Sequence, residues 1–152
     1  MRSNECYAYF GLRGFPGSPE EISAKIGLVP TKVALAGEPI GRSGKKREVS
    51  RWSIESRLPR EAQVDFEAHV KDVLEQLEPS FAIAASLSRQ HDGVMELVGY
   101  FHESYPGLWL DATTMQRLAA LGVRLDCDFF YFAAEEEAQP GTDNSGASPL
   151  RV

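Results

Sequence analysis

The sequence is poor in the residues that mark chemistry. Its 152 residues include only 2 cysteines and 3 histidines. Cys6 and Cys127 stand alone in apolar surroundings, without the paired spacing of a zinc site or a disulfide framework. No stretch approaches the roughly 18 apolar residues of a membrane span, and Met1–Glu5 lacks the apolar core of a secretory leader. There is neither a G-x-S-x-G turn for a serine nucleophile nor a Walker-type phosphate loop. These absences argue against membrane-spanning, disulfide-stapled and nucleophile-elbow classes, and the expected location is the cytoplasm.

What is present is ordinary for one globular domain: 43% hydrophobic and 25% charged residues. The formal net charge of −6 is uneven. After Phe132 the chain carries Glu135, Glu136, Glu137 and Asp143 against Arg151 alone. That composition cannot bury enough apolar surface to order itself. The expected division is a single α+β domain over residues 1–132 and a disordered acidic tail over 133–152. The domain itself is only mildly acidic, which disfavours bulk attraction to nucleic acid or an anionic membrane.

Periodicity and punctuation give the elements. Cys6–Leu12 is short and aromatic, a strand. Ser18-Pro19-Glu20-Glu21 has an N-cap, a proline in the first turn and a capping-box glutamate, so a helix starts there and ends at Gly27. Leu28–Arg47 has no period and is broken by Pro30, Gly37, Pro39, Gly41 and Gly44, which predicts a long loop. Glu48–Ser56 alternates about Trp52 and Ile54, a second strand.

Phe66, Val70, Val73, Leu74 and Leu77 form the apolar stripe of the longest helix, which stops before Pro79. Ser80 starts a short helix, and His91-Asp92-Gly93 turns into a strand over Val94–Glu103. Asp111 caps a helix that Gly122 ends, and Val123–Phe132 alternates as the last strand. The predicted fold is α+β: a four-stranded, mainly antiparallel sheet with helices on one face, ferredoxin-like with an added helix. A strand–loop–helix–glycine unit occurs twice, ending at Gly27 and at Gly122, as two related halves would.

Pro19-Glu20-Glu21-Ile22, Gly27-Leu28-Val29-Pro30-Thr31 and Gly37-Glu38-Pro39 precede a basic loop and the Trp52 strand. With the closing Leu121-Gly122-Val123-Arg124-Leu125-Asp126-Cys127-Asp128, these runs resemble an uncharacterised bacterial domain-of-unknown-function family over about residues 5–132. The resemblance implies one compact domain and carries no activity with it.

Candidate sites are few. His69 reads as a helix flank, His91 as part of a turn, and neither cysteine has a cation or helix N-terminus to activate it. A metal-dependent enzyme would need His102 and Glu103 with Asp126 and Asp128, whose two-residue spacing puts both aspartates on one strand face. That set reads more simply as an acidic solvent face, so neither a metal nor any other cofactor is expected. Arg42, Lys45, Lys46, Arg47 and Arg51 offer an anion-binding loop for a nucleic acid or nucleotide, although such a run is more often plain solvated loop.

The fullest constellation comes from strand parity. Tyr7, Tyr9, Tyr100, Asp126, Asp128, Phe130 and Phe132 fall on the sheet face away from the helices, where five aromatics would leave an apolar patch. Tyrosine and phenylalanine at such a patch point to a protein interface. The leading expectation is therefore a non-enzymatic domain binding a protein partner, in trans or as a homodimer, of which an immunity-type protein is the sharpest version. Glu96, Asp126 and Asp128 on the same face would repel a phosphate backbone, placing nucleic acid second and an enzyme third.

Overall fold

The computed structural model of the chain describes residues 2–61, 64–104, 106–132 and 150–151. Six strands are ordered β2-β3-β1-β4-β5-β6 across one sheet: β1 Glu5–Arg13, β2 Lys32–Ala34, β3 Arg51–Glu55, β4 Val94–Phe101, β5 Arg124–Tyr131 and β6 Leu150–Arg151. Helices α1 Pro19–Ile26, α2 Phe66–Leu77, α3 Phe81–Gln90 and α4 Ala112–Leu121 occupy the connections. The four strands β2-β3-β1-β4 are antiparallel throughout, and β5 joins parallel to β4 after the α4 crossover.

Local chemistry sets the helix ends. The Ser18 hydroxyl accepts from the Glu21 amide, Asp65 from Ala68 and Asp111 from Thr114. Gly27 and Gly122 close α1 and α4 with φ of 76° and 73°, a left-handed conformation that glycine adopts without a Cβ penalty. The core lies between all four helices and one sheet face. Phe10, Trp52, Met95, Leu97 and Phe101 meet Ile22, Val70, Leu74, Leu77, Leu87 and Leu121 there.

The α+β class and the helices on one face agree with the sequence pattern, but the strand count does not. Among the described residues the sheet has six strands rather than four, and one of its pairings is parallel. The span 28–47 is not a structureless loop. Lys32–Ala34 pairs with β3, and a bridge between Pro39 and Lys46 closes a small hairpin between β2 and β3. Three residues are too few to show a period, so β2 leaves no sequence signal.

The two sequence halves also differ in topology: β1 lies antiparallel to its neighbour β3, while β4 and β5 are parallel. Two inward and flanking assignments change. His69 is fully buried. Leu125, whose parity is inward, stays 44% exposed near the end of β5. Of the expected tail, 133–149 and 152 lie outside the described residues, and Leu150–Arg151 pairs antiparallel with β5.

Candidate functional site

Opposite the core, no helix among the described residues covers the sheet. Alternate residues of β1, β3, β4 and β5 line a trough of ≈ 1010 Å³ there. Strand register arranges the lining in rows. One row runs Glu55, Tyr9, Glu96, Asp126 across four adjacent strands. The row above is Tyr7, Val98, Asp128, and the one beyond it Glu5, Tyr100, Phe130.

On the other side of the carboxylate row lies Lys32, Ser53, Gly11, Val94, Arg124, and past that Arg13 opposite Arg51. Gly11 puts no side chain into the middle of the trough. The lining is thus carboxylate and aromatic toward one end and cationic toward the other.

The aromatics are packed together rather than splayed. Tyr100 stacks on Phe130 with centroids 5.3 Å apart, and Tyr7 lies 6.4 Å from Tyr9. Tyr7 is only 8% exposed, and the Arg60 guanidinium sits 3.8 Å above its ring while bonding Glu55 at 2.8 Å. Burial, then the nearby Glu96 carboxylate, pushes the Tyr9 phenol up to about 12. Burial, then Tyr100, raises Tyr7. Both phenols are therefore neutral hydrogen-bond donors at physiological pH.

Of the seven residues expected on this face, Tyr7, Tyr9, Tyr100, Asp126, Asp128 and Phe130 line the trough. Phe132 lies just past it, stacked on His102 at 4.6 Å beside a second hollow. The expected bare apolar patch does not form, because these rings are half-buried or buried. Of the exposed large apolar side chains among the described residues, Val33 touches the trough at its β2 edge, while Val29, Leu35, Ile40, Ile83, Leu108, Trp109, Met115 and Leu125 lie outside its lining.

The basic loop divides. Arg47 and Arg51 line the trough, whereas Arg42, Lys45 and Lys46 do not. Parity reasoning missed Arg13, Lys32 and Glu55 as lining residues. Arg13 lies one residue past the Cys6–Leu12 strand expected from sequence, Lys32 falls in the expected loop, and Glu55 joins the trough only through the strand order.

None of the three histidines lines the trough. His91 packs edge-on against Phe15, and His69 bonds Ser56 in the core. Burial, then Asp65, pushes the Cys6 thiol up to about 11, and burial also raises Cys127, so both remain thiols at neutral pH. Among the described residues, no three His, Cys, Asp or Glu side chains converge as metal ligands, and no helix is long and apolar enough to cross a membrane. The trough offers acceptors, donors, aromatic faces and two signs of charge.

A family model described as "Domain of unknown function (DUF4279)" matches residues 4–131. The match spans nearly the same residues as the resemblance read from the sequence. No curated protein and no solved structure matches the chain.

Proposed function

This chain belongs to the DUF4279 family of domains of unknown function, and from that premise we propose that it is a non-enzymatic binding domain whose helix-free sheet face holds a protein partner. The observation that carries this reading is the ≈ 1010 Å³ trough, lined by Tyr7, Tyr9, Tyr100 and Phe130 interleaved with carboxylates. Aromatic rings supply contact area, and neutral phenols and carboxylates supply directional contacts around it. No imidazole stands in the trough to serve as a general base. An immunity-type role, in which the carboxylate row meets a basic partner surface, is the sharpest form of the proposal.

The β2-β3-β1-β4 order, with α1 and α2 in its crossovers, supports a ferredoxin-like core to which α3, α4 and β5 are added. Two free cysteines suit a reducing compartment such as the cytoplasm. Nucleic acid fits less well, because Arg42, Lys45 and Lys46 stand away from the trough and its carboxylates repel phosphate.

The test is quantitative capture from native-host lysate by the full chain and by its Tyr9→Ser/Tyr100→Ser variant. Proteins enriched by the wild type should be lost with the variant, provided thermal melts show the variant folded. Equal enrichment by both proteins would remove the sheet face as the binding surface.

A further inference from the structure

The cationic end of the trough is a second site, apart from the tyrosines on which the protein-partner reading rests. We infer that Arg13, Arg47 and Arg51 hold a phosphate-class dianion there, seated over Ser53 and Gly11.

Strand register builds the seat. Arg51 has Ala34 of β2 as its Cα partner on one side and Arg13 of β1 on the other. Arg47 precedes Arg51, the first residue of β3, by four positions, so it enters the trough at this same end. Ala34 is too short to cover Arg51. In the next row inward Ser53 lies opposite Gly11, a hydroxyl beside a position with no side chain. Guanidinia from β1, β3 and the hairpin thus border one low floor.

The charge at this end is under-compensated. Arg47 is half-buried and Arg51 exposed, and neither makes an ion pair with a described residue. Arg13 has a partner in Asp92, but their nearest approach is 3.6 Å, longer than a hydrogen bond. Asp92 also pairs with Arg124, so one carboxylate serves two guanidinia. Glu48, next to Arg47 in the chain, does not line the trough.

The carboxylates that do line it stand toward the other end. Glu55 is matched by Lys32 and Arg60. The row through Tyr9 is four residues along β1 from Arg13, roughly 13 Å. That exceeds the screening length of about 8 Å at physiological salt. A single anion over the arginine row is therefore spared the repulsion that a phosphate backbone laid along the trough would meet.

The ligand's class follows from the donors. Arg13 and Arg51, in register on adjacent strands, repel one another, and an anion between them removes that cost. Guanidinium groups present paired N–H donors that match the oxygens of phosphate. Three of them around one seat offer more donors and charge than a carboxylate's two oxygens can meet. A tetrahedral dianion meets them from several sides.

Isothermal titration of the full chain with inorganic phosphate, in chloride at physiological ionic strength, tests the inference. Phosphate should saturate one site and bind about tenfold or more tightly than acetate, given its second charge. Arg47→Gln/Arg51→Gln, checked by thermal melt, should weaken phosphate about tenfold, as loss of charged hydrogen bonds does. If the double variant does not fold, Arg51→Gln alone carries the comparison. Arg42→Gln/Lys45→Gln removes the same net charge outside the lining and should leave binding unchanged.

Glycerol 2-phosphate binding as tightly as phosphate would assign an ester-borne phosphoryl group; binding of phosphate alone would assign the free ion. No saturation by phosphate, equal affinity for acetate, or equal loss in the two double variants overturns the inference. Capture of the host protein by wild type and by Tyr9→Ser/Tyr100→Ser is read separately, so the anion site and the protein-partner reading fail independently.

Discussion

Trp52 couples a strand to a helix through one side chain. It is fully buried, meets Phe10 edge-on with centroids 6.4 Å apart, and donates its indole N–H to Ser23 Oγ at 3.0 Å. Trp52→Ala should cost ~3–5 kcal/mol, the range for deleting a buried large aromatic, measured by urea unfolding. An unchanged midpoint would mean the ring contributes nothing to the core. Alternation made Trp52 legible in the sequence. His69 was not, because the helical period places it just off the Phe66–Leu77 stripe, while its burial comes with a long-range bond to Ser56 just past β3. Burial pushes its pKa below the usual imidazole value, against smaller opposing effects from Asp72 and Asp65. With the folded pKa depressed, the unfolded chain binds the proton first as pH falls. This contribution is therefore complete above about pH 6.5 and declines below it. His69→Gln should flatten that part of the stability–pH curve; an unaltered acid limb would assign it to other groups.

At the scale of elements, α4 is fixed by its first turn. Asp111 accepts from the Thr114 amide at 2.7 Å and meets Lys71, which also bonds Glu67; Glu67 in turn accepts from the Thr114 hydroxyl. These bonds tie α2 to α4. The Thr114 amide above all, helped by Lys71, lowers the Asp111 carboxyl to about 2. A depressed carboxylate pKa contributes stability above its unfolded value near 3.8 that is lost as pH falls toward 2. Asp111→Ala should lower the melting temperature at neutral pH and diminish the change in stability between those two pH values. A variant with the wild-type acid profile would show that the cap is not the titrating group. The hairpin after β2 behaves differently. Backbone bonds hold it: Gly37 N to Arg47 O, Arg47 N to Glu38 O and Ile40 N to Lys45 O, each 2.8 Å. Lys45→Glu with Lys46→Glu should leave stability within about 0.5 kcal/mol, as exposed substitutions usually do. A larger loss in denaturant melts would give the lysines a structural role. The caps at Ser18 and Asp111 were legible because they are local, whereas the Asp65 cap of α2 went unread and Ser80, at the start of α3, makes no side-chain cap bond. The hairpin was not legible, because its pairing depends on backbone closure that its glycines and prolines hide.

For the whole molecule, the sheet is a partition with a packed face and an open one. Alternation in the sequence assigned residues to those faces, since parity is local to each strand. It did not supply the order β2-β3-β1-β4-β5, which long-range packing decides, so the charged rows of the trough were invisible as rows. Asp126 could be placed outward from sequence, but not beside Glu96. The same partition bears on the chain beyond Phe132. Among the described residues, no core side chain lies after Tyr131, and β6 adds only the Phe130–Arg151 and Tyr131–Leu150 pairs at the end of the edge strand. Segments with few docking contacts are usually dispensable for folding. Deleting residues 134–152 should therefore leave a cooperative melt within about 3 °C of the full chain, a shift expected from less than about 1 kcal/mol. It should also leave the trough intact, because the described residues that line it all precede Tyr131. A fall of more than about 8 °C would make the segment after Phe132 an integral part of the β5 edge.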